Sequence, residues 1–344
     1  MAGYTARELV EAAFKGEKPD RVPFTTAMLY HQGFAQKLGF TVAELLLDPE
    51  KALHALTLIE KTFPSDMFMH VPGDPYSPEA MAAYRQATKG SGAPIEYPLA
   101  DKSALERMPF RDPRQSSAYS RFLAMCRRVR EIYPDRWVAT TIPGPWTATL
   151  EMRQPETALY DTRDDPGFLH RAMHFNTEYA KARGLAVAET GVNVIVGDPS
   201  SSCGLISPRV YREFVRPYHE ALFRHLREKR QGAVKFGLHI CGYTDPILPD
   251  LAALPLDWIE MDAPSNLARM LELCQGGVVV RGNVPGEVLA TGTPQQVAEA
   301  VRRCLETARG YPRYILSPGC TMANAAPMEN IQAFWEAASQ FGRA

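Results

Sequence analysis

Short apolar runs rich in β-branched and aromatic residues alternate along the chain with longer segments of helical spacing. The runs Val22–Met28, Asp66–Val71, Trp137–Ile142, Asn193–Asp198, Val234–His239, Asp257–Met261, Val278–Gly282 and Arg313–Ser317 predict eight strands. Helix starts between them are marked by chemistry. Thr5 with Glu8 and Thr41 with Glu44 have the capping-box spacing. Asp165-Pro166, Ser207-Pro208 and Thr293-Pro294 each set a cap residue before a proline at the first helical position. After Pro294 the residues Val297, Val301 and Leu305 form one stripe that ends at Gly310. The last helix places Ile331, Phe334, Trp335 and Ala338 on its inner face.

Eight βα units point to an α/β fold, a (β/α)8 TIM barrel, as one domain over residues 1–344 with an N-terminal helical extension. A doubly wound open sheet is the alternative. It would announce an early nucleotide-binding loop, and no Gly-x-Gly-x-x-Gly or P-loop pattern is present. The segment from Gly73 to about Pro113, rich in Pro, Gly and charge, is expected to run as a long excursion over one barrel face.

Composition narrows the function class. Of 344 residues, 45% are hydrophobic and 22% charged, enough for a large core. Lys+Arg 38 against Asp+Glu 39 gives a net charge of −1, which speaks against a nucleic-acid coat or a polybasic membrane binder. The basic stretch Arg224–Arg230 lacks the aromatic interleaving of a nucleic-acid site. No apolar run reaches the ~20 residues that span a bilayer. The first residues interleave charge with apolar positions and show no signal-peptide core, so a cytoplasmic location is expected. Six cysteines in so long a chain are too sparse for a disulfide scaffold, which makes grouped Cys and His candidates for metal or redox chemistry.

The segment Lys235-Phe-Gly-Leu-His-Ile-Cys-Gly242 carries such a group. His239 and Cys241 are two apart, so on an extended chain they project to one side. They lie at the C-terminal end of a strand, where barrel enzymes place their chemistry. Cys320 follows the last predicted strand and reaches the same rim. One imidazole and two thiolates suit zinc and leave a fourth position open, the catalytic pattern. Two thiolates cancel the ion's charge. A third thiolate from a substrate stays electron-rich there, which suits alkyl transfer to a thiol better than activation of water. The plainer reading is that His-x-Cys is short and that cysteine is often a small buried hydrophobe. Cys203, after the Asn193–Asp198 run, is a substitute ligand ranked below Cys320; Cys126 and Cys304 fall at core-like helical positions, and Cys274 at a helix end before Gly276-Gly277.

Several short motifs, in order, carry a resemblance. They are Arg21-Val-Pro-Phe, Pro64-Ser-Asp66, Pro143-Gly-Pro-Trp-Thr147, Ser207-Pro208 with Phe214-Val-Arg-Pro-Tyr218, Arg281-Gly-Asn283-Val-Pro, and Leu316-Ser-Pro-Gly with Pro327-Met-Glu-Asn330. Through most of its length the chain resembles the uroporphyrinogen decarboxylase superfamily, and within it the zinc-dependent methylcobamide:coenzyme M methyltransferase branch. The resemblance implies a (β/α)8 barrel. Departures separate the branches. Where the decarboxylases carry an Arg-Gln-Ala-Gly-Arg-Tyr stretch for a polyanionic substrate, this chain reads Thr25-Thr-Ala-Met-Leu-Tyr-His-Gln32. The decarboxylase tyrosine after Gly-Pro-Trp-Thr aligns with Glu151, and the histidine of the closing Gly-His-Gly aligns with Cys320. The methyltransferase ligands, a His-x-Cys pair and a later Cys, map onto His239, Cys241 and Cys320. The resemblance therefore implies Zn2+, methylcobamide presented by a corrinoid carrier protein, and a small-molecule methyl donor or acceptor.

Three further residues are expected at the site. Asp66 would line the mouth, with a strand-end ion pair as the equal alternative. Glu151 would accept a hydrogen bond, meet the carrier or approach the metal, with a solvated glutamate at a helix start as the favoured plainer reading. Asn283, at a strand end, would contact substrate. Asp198 is read either as support for His239 or as a turn cap. Tyr30 and His31 would shape the pocket, while His170, His174, His219 and His225 are surface or packing residues. The expected activity is methyl transfer between methylcobamide and a thiol bound to zinc as thiolate. Alternatives are transfer from a methylated substrate, such as an aryl methyl ether, to a cobalt(I) corrinoid protein; porphyrinogen decarboxylation; and a non-catalytic zinc-stabilised scaffold.

Overall fold

A computed structural model describes residues 4–28, 30–73, 97–230 and 232–342. Seven strands form one parallel sheet in chain order: β1 (Met67–Phe68), β2 (Trp137–Pro143), β3 (Asn193–Gly197), β4 (Phe236–Ile240), β5 (Trp258–Met261), β6 (Val279–Val284) and β7 (Tyr314–Pro318). The first predicted run closes the ring in abbreviated form. Phe24 bridges Leu316 of β7, with Thr25 N donating to Leu316 O at 3.0 Å and Leu316 N to Pro23 O at 2.9 Å. On its other side Asp66 N donates to Phe24 O at 3.0 Å. Pro23 has no N–H to donate, so this run cannot extend a regular ladder. The fold is the (β/α)8 barrel that the alternating pattern predicts.

The helix signals hold locally. Thr5, Thr41 and Thr293 each close a capping box, and the Asp165 and Ser207 side chains cap the helices that begin at Pro166 and Pro208. The expected excursion from Gly73 to about Pro113 has its residues 74–96 outside the described residues. Its remainder carries a short helix, Ala104–Arg107. Among the described residues, no helix is long and apolar enough to cross a membrane.

Strand alternation sorts the barrel into two layers. Phe236, Leu238 and Ile240 of β4 and Ile259 and Met261 of β5 pack outward against the helices. Met67, Trp137, Ala139, Ile195, Trp258, Val279 and Ile315 turn inward and fill the lower lumen. The N-terminal helix Ala6–Lys15 completes that inner cluster with Val10 and Ala13, and Phe14 stacks on Trp137 at 5.4 Å. It therefore closes the N-terminal end of the barrel. Gly237 makes room for Trp258, since a Cβ there would stand 2.3 Å from the indole. Above this apolar layer the inward positions change character, from Trp258 to Glu260 on β5 and from Gly237 to His239 on β4.

Candidate metal centre

His239 is the fourth residue of β4, and its inward direction follows from alternation with Leu238 and Ile240. Cys241 comes immediately after the strand. The next residue, Gly242, sits at φ 74°, a left-handed conformation that suits glycine, and its N–H donates to Asp262 Oδ2 at 2.7 Å. Asp262 also receives the N–H of Ala263 at 2.7 Å. A Cβ on Gly319 would press on Asp262 and Ala263 at 2.8 and 2.7 Å, so the loop that carries Cys320 lies against the same turn. Gly319 N donates back to Val284 O at 2.9 Å. Asp262 thus braces the Cys241 turn, and the Cys320 loop packs closely against it.

The three side chains converge. His239 Nε2 is 3.0 Å from Cys241 Sγ and 3.6 Å from Cys320 Sγ, and the two sulfurs are 3.8 Å apart. They form the single metal-capable group of three or more His, Cys, Asp or Glu found among the described residues. Their spacing fits a zinc ion. Tetrahedral zinc with Zn–S of about 2.3 Å and Zn–N of about 2.0 Å sets sulfurs roughly 3.8 Å apart and nitrogen about 3.5 Å from sulfur. The sulfur pair and the Cys320–His239 edge match, and the Cys241–His239 edge is shorter.

The charges around this group are coupled. The hydrogen bond between Cys241 and Cys320 holds the Cys320 thiol pKa down to about 5, against burial and with help from His239. The same hydrogen bond, together with burial, pushes Cys241 far above the ordinary thiol value. Binding of a divalent cation at these sulfurs would release the protons they hold. Burial disfavours a charged His239, but the Glu260 carboxylate and then Cys320 outweigh it and push the imidazole up to about 9. Burial likewise works against Glu260, yet Arg281 and then His239 hold its pKa below the ordinary value.

Glu260 and Arg281 form an ion pair inside the barrel, both side chains almost fully buried. Arg281 also lies over the Trp258 ring, 5.7 Å from its centroid. Glu260 Oε1 is 3.7 Å from His239 Nδ1. Neither residue was given a role from sequence, although Arg281 opens the Arg281-Gly-Asn283 motif, because nothing in Trp-Ile-Glu-Met or Val-Val-Arg-Gly marks their strand register. His70 was also missed. It lies two residues beyond β1, half-buried, with Nε2 3.4 Å from Thr321 Oγ1 beside Cys320. The rule that selected His239, a polar residue at the C-terminal end of a barrel strand, also selects it.

Other expectations are redirected by the geometry. Asp66 does not line the mouth. It precedes β1, at the opposite end of the barrel from the cysteines, where Arg21 Nη1 and Nη2 each donate to its carboxylate at 2.6 Å and Phe24 N donates at 2.9 Å. The strand-end ion pair is what forms. Asn283 is directed away from substrate space. Its amide donates to Ser265 O at 3.1 Å and Asp262 O at 3.3 Å, and Cys304 of the outer helix Pro294–Thr307 donates to its carbonyl at 3.7 Å. Inward alternation along β6 breaks at Gly282, where φ is 133° and a Cβ would meet Met261 O at 2.5 Å.

Asp198 is a cap and not a support for His239. It accepts from Trp146 N and Thr147 N at 3.2 and 2.6 Å, at the start of the helix Pro145–Arg153, and from the buried His219 at 2.8 Å. Glu151 lies half-buried near the end of that helix and is outside the three-ligand group. Cys203 is likewise outside it. His31 is buried, capping the helix Gln32–Lys37 through Gly33 N at 3.1 Å and pairing with Ala326 O at 2.8 Å.

Comparison with known proteins agrees with this architecture. The uroporphyrinogen decarboxylase (URO-D) family model matches residues 5–341. The chain is 29% identical over 177 residues to the methylcobamide:CoM methyltransferase MtbA of Methanosarcina acetivorans, covering 51% of this chain and 49% of that protein. It is 26% identical over 202 residues to the methylated-thiol–coenzyme M methyltransferase of Methanosarcina mazei, covering 58% and 52%. It is 24% identical over 281 residues to the uroporphyrinogen decarboxylase of Aromatoleum aromaticum, covering 77% and 76%. The chain thus spans about half the length of the two methyltransferases it matches. A solved structure described as a methyltransferase from Methanosarcina mazei superposes with a TM-score of 0.75 over 98% of this chain and 99% of its own, at 20% identity, which shows a common fold.

Proposed function

For this chain, which belongs to the uroporphyrinogen decarboxylase family, we propose a zinc-dependent methyltransferase linked to a corrinoid protein. It moves a methyl group between methylcobamide on a carrier protein and a small thiol. The observation that carries this reading is the approach of His239, Cys241 and Cys320 to within 3.0–3.8 Å of one another at the C-terminal end of the barrel. Zinc bound by them would supply a fourth position at which a thiol is held as thiolate.

The residues of the chain set the conditions for that chemistry. Two cysteine sulfurs offer enough negative charge to neutralise the ion, so an added thiolate keeps its nucleophilicity. Glu260 and Arg281 form an ion pair beside His239 and so add no net formal charge to the site. Asp262 accepts from Gly242 N and so fixes the turn that follows Cys241, while Gly319 N is tied to Val284 O in the loop that carries Cys320. His70 and Thr321 place polar groups at the rim, and Glu151 is proposed to meet substrate or carrier from the helix after β2. The names of the related methyltransferases support a corrinoid partner and a thiol acceptor.

Porphyrinogen decarboxylation is disfavoured by the buried, self-satisfied His31 and the neutral Thr25–Met28 segment, where a polyanion would need arginines. The test is to measure bound zinc in purified protein and to assay demethylation of methylcobalamin with a panel of small thiols. Stoichiometric zinc with thiol methylation that disappears in C320S is the expected result. Protein without zinc overturns the metal reading. Zinc-loaded protein that methylates no thiol but passes methyl from an aryl methyl ether to cobalt(I) reverses the assigned direction.

A further inference from the structure

We propose that Glu260, clamped by Arg281, is the positioning residue of His239, holding the imidazole in the tautomer that turns Nε2 toward the metal. The inference rests on the zinc reading given above and goes one layer beneath it.

The register of the sheet creates the arrangement. His239 pairs with Glu260 across β4 and β5, and Glu260 pairs with Arg281 across β5 and β6. All three point into the lumen at one level, so the histidine, the carboxylate and the guanidinium form a row. A neutral imidazole that offers Nε2 to a metal carries its proton on Nδ1. That Nδ1 is buried and has no hydrogen-bond partner among the described residues. Buried N–H groups need an acceptor. Glu260 Oε1, at 3.7 Å, is positioned to become one. Metal-bound histidines generally hand their second N–H to a carboxylate or a carbonyl, and such partners orient the ring and strengthen the ligand.

Arg281 explains why a carboxylate survives there. It is 1% exposed, its Nη2 pairs with Glu260 Oε1, and its Nε and Nη1 have no hydrogen-bond partner among the described residues. Its charge is therefore committed to Glu260 and to the face of Trp258. Without Arg281, Glu260 would be an uncompensated buried anion. Without Glu260, the imidazole would be free to rotate or to change tautomer, and the three donor atoms would no longer be aligned in advance.

The experiment compares wild type with E260Q, each prepared as apoprotein and reloaded. Zinc affinity is read by competition with a chromophoric chelator. Ligand geometry is read from the visible bands of the Co2+-substituted protein, and fold from the melting curve of the apoprotein. Zinc affinity in E260Q lower by about 10–100-fold with altered Co2+ bands supports the proposal; the apoprotein melt, which the unpaired Arg281 lowers, serves only to show that the variant is folded at the assay temperature. Affinity within twofold of wild type with identical Co2+ bands overturns it. Should E260Q fold poorly, the double variant E260M/R281M removes both buried charges together and is read by the same two criteria. Wild-type protein that binds no zinc overturns the metal reading itself. That outcome is distinct from wild type that binds zinc and an E260Q protein that binds it equally well.

Discussion

The Cys241 and Cys320 sulfurs stand 3.8 Å apart although 79 residues separate them in the chain. One follows β4 and the other follows β7, and closing the barrel is what brings them together. Each is expected to be indispensable to the metal centre. C241S and C320S should each purify with well under one equivalent of zinc after dialysis, because a hydroxyl is a poor ligand for this ion. Elemental analysis decides it. Full zinc in either variant removes that cysteine from the site.

Asp66 offers the opposite test. D66N breaks the paired hydrogen bonds from Arg21 and weakens the one from Phe24 N at the foot of the barrel. A stability loss of about 1–3 kcal/mol is expected in urea unfolding, with zinc content unchanged. A variant of normal stability that has lost zinc would return Asp66 to the mouth.

The lower lumen should be intolerant of even one methyl group at Gly237. G237A sets a Cβ against the Trp258 indole at 2.3 Å, and over-packing of this kind costs about 1–3 kcal/mol. At Gly286 a Cβ meets nothing within 4 Å, so G286A serves as the control. Equal melting temperatures for the two variants would contradict the packing described for the barrel floor.

His31 predicts a pH dependence. Burial holds its pKa below the ordinary histidine value, although its contact with Ala326 O opposes this. The folded state therefore binds this proton less readily than the unfolded chain. The associated stability is complete above the unfolded value of about 6.5 and is lost as pH falls through the lower folded value. The cap explains the direction, since Nδ1 must stay unprotonated to accept from Gly33 N. H31N keeps a capping side chain and loses the titration. The difference in melting temperature between wild type and H31N should change between pH 7 and pH 5, to the disadvantage of wild type. Parallel curves would exclude His31 as a contributor.

The barrel was legible from alternation because each strand is buried on both faces and each helix begins with a cap that can be recognised locally. His239 and Cys241 were legible because a spacing of two on a strand fixes a common side. What escaped depends on relations between strands. Glu260 reads as one acid in an apolar run until the β4–β5 register sets it beside His239. Asp66 stayed open between the mouth and a strand-end ion pair because residues at the two ends of one strand face opposite ends of the barrel, and only the start of β1 places it before the strand. Asn283 was misplaced because strand alternation is interrupted at Gly282.

The helix Ala6–Lys15 has a kinetic consequence. With Val10, Ala13 and Phe14 packed into the cluster that fills the lower lumen, the metal-capable group is shut off from the N-terminal end of the cylinder. On the proposed activity, the macromolecular donor and the small acceptor would both come to the C-terminal rim. Seating the thiol before the bulky carrier docks there would set an order of addition for the two reactants.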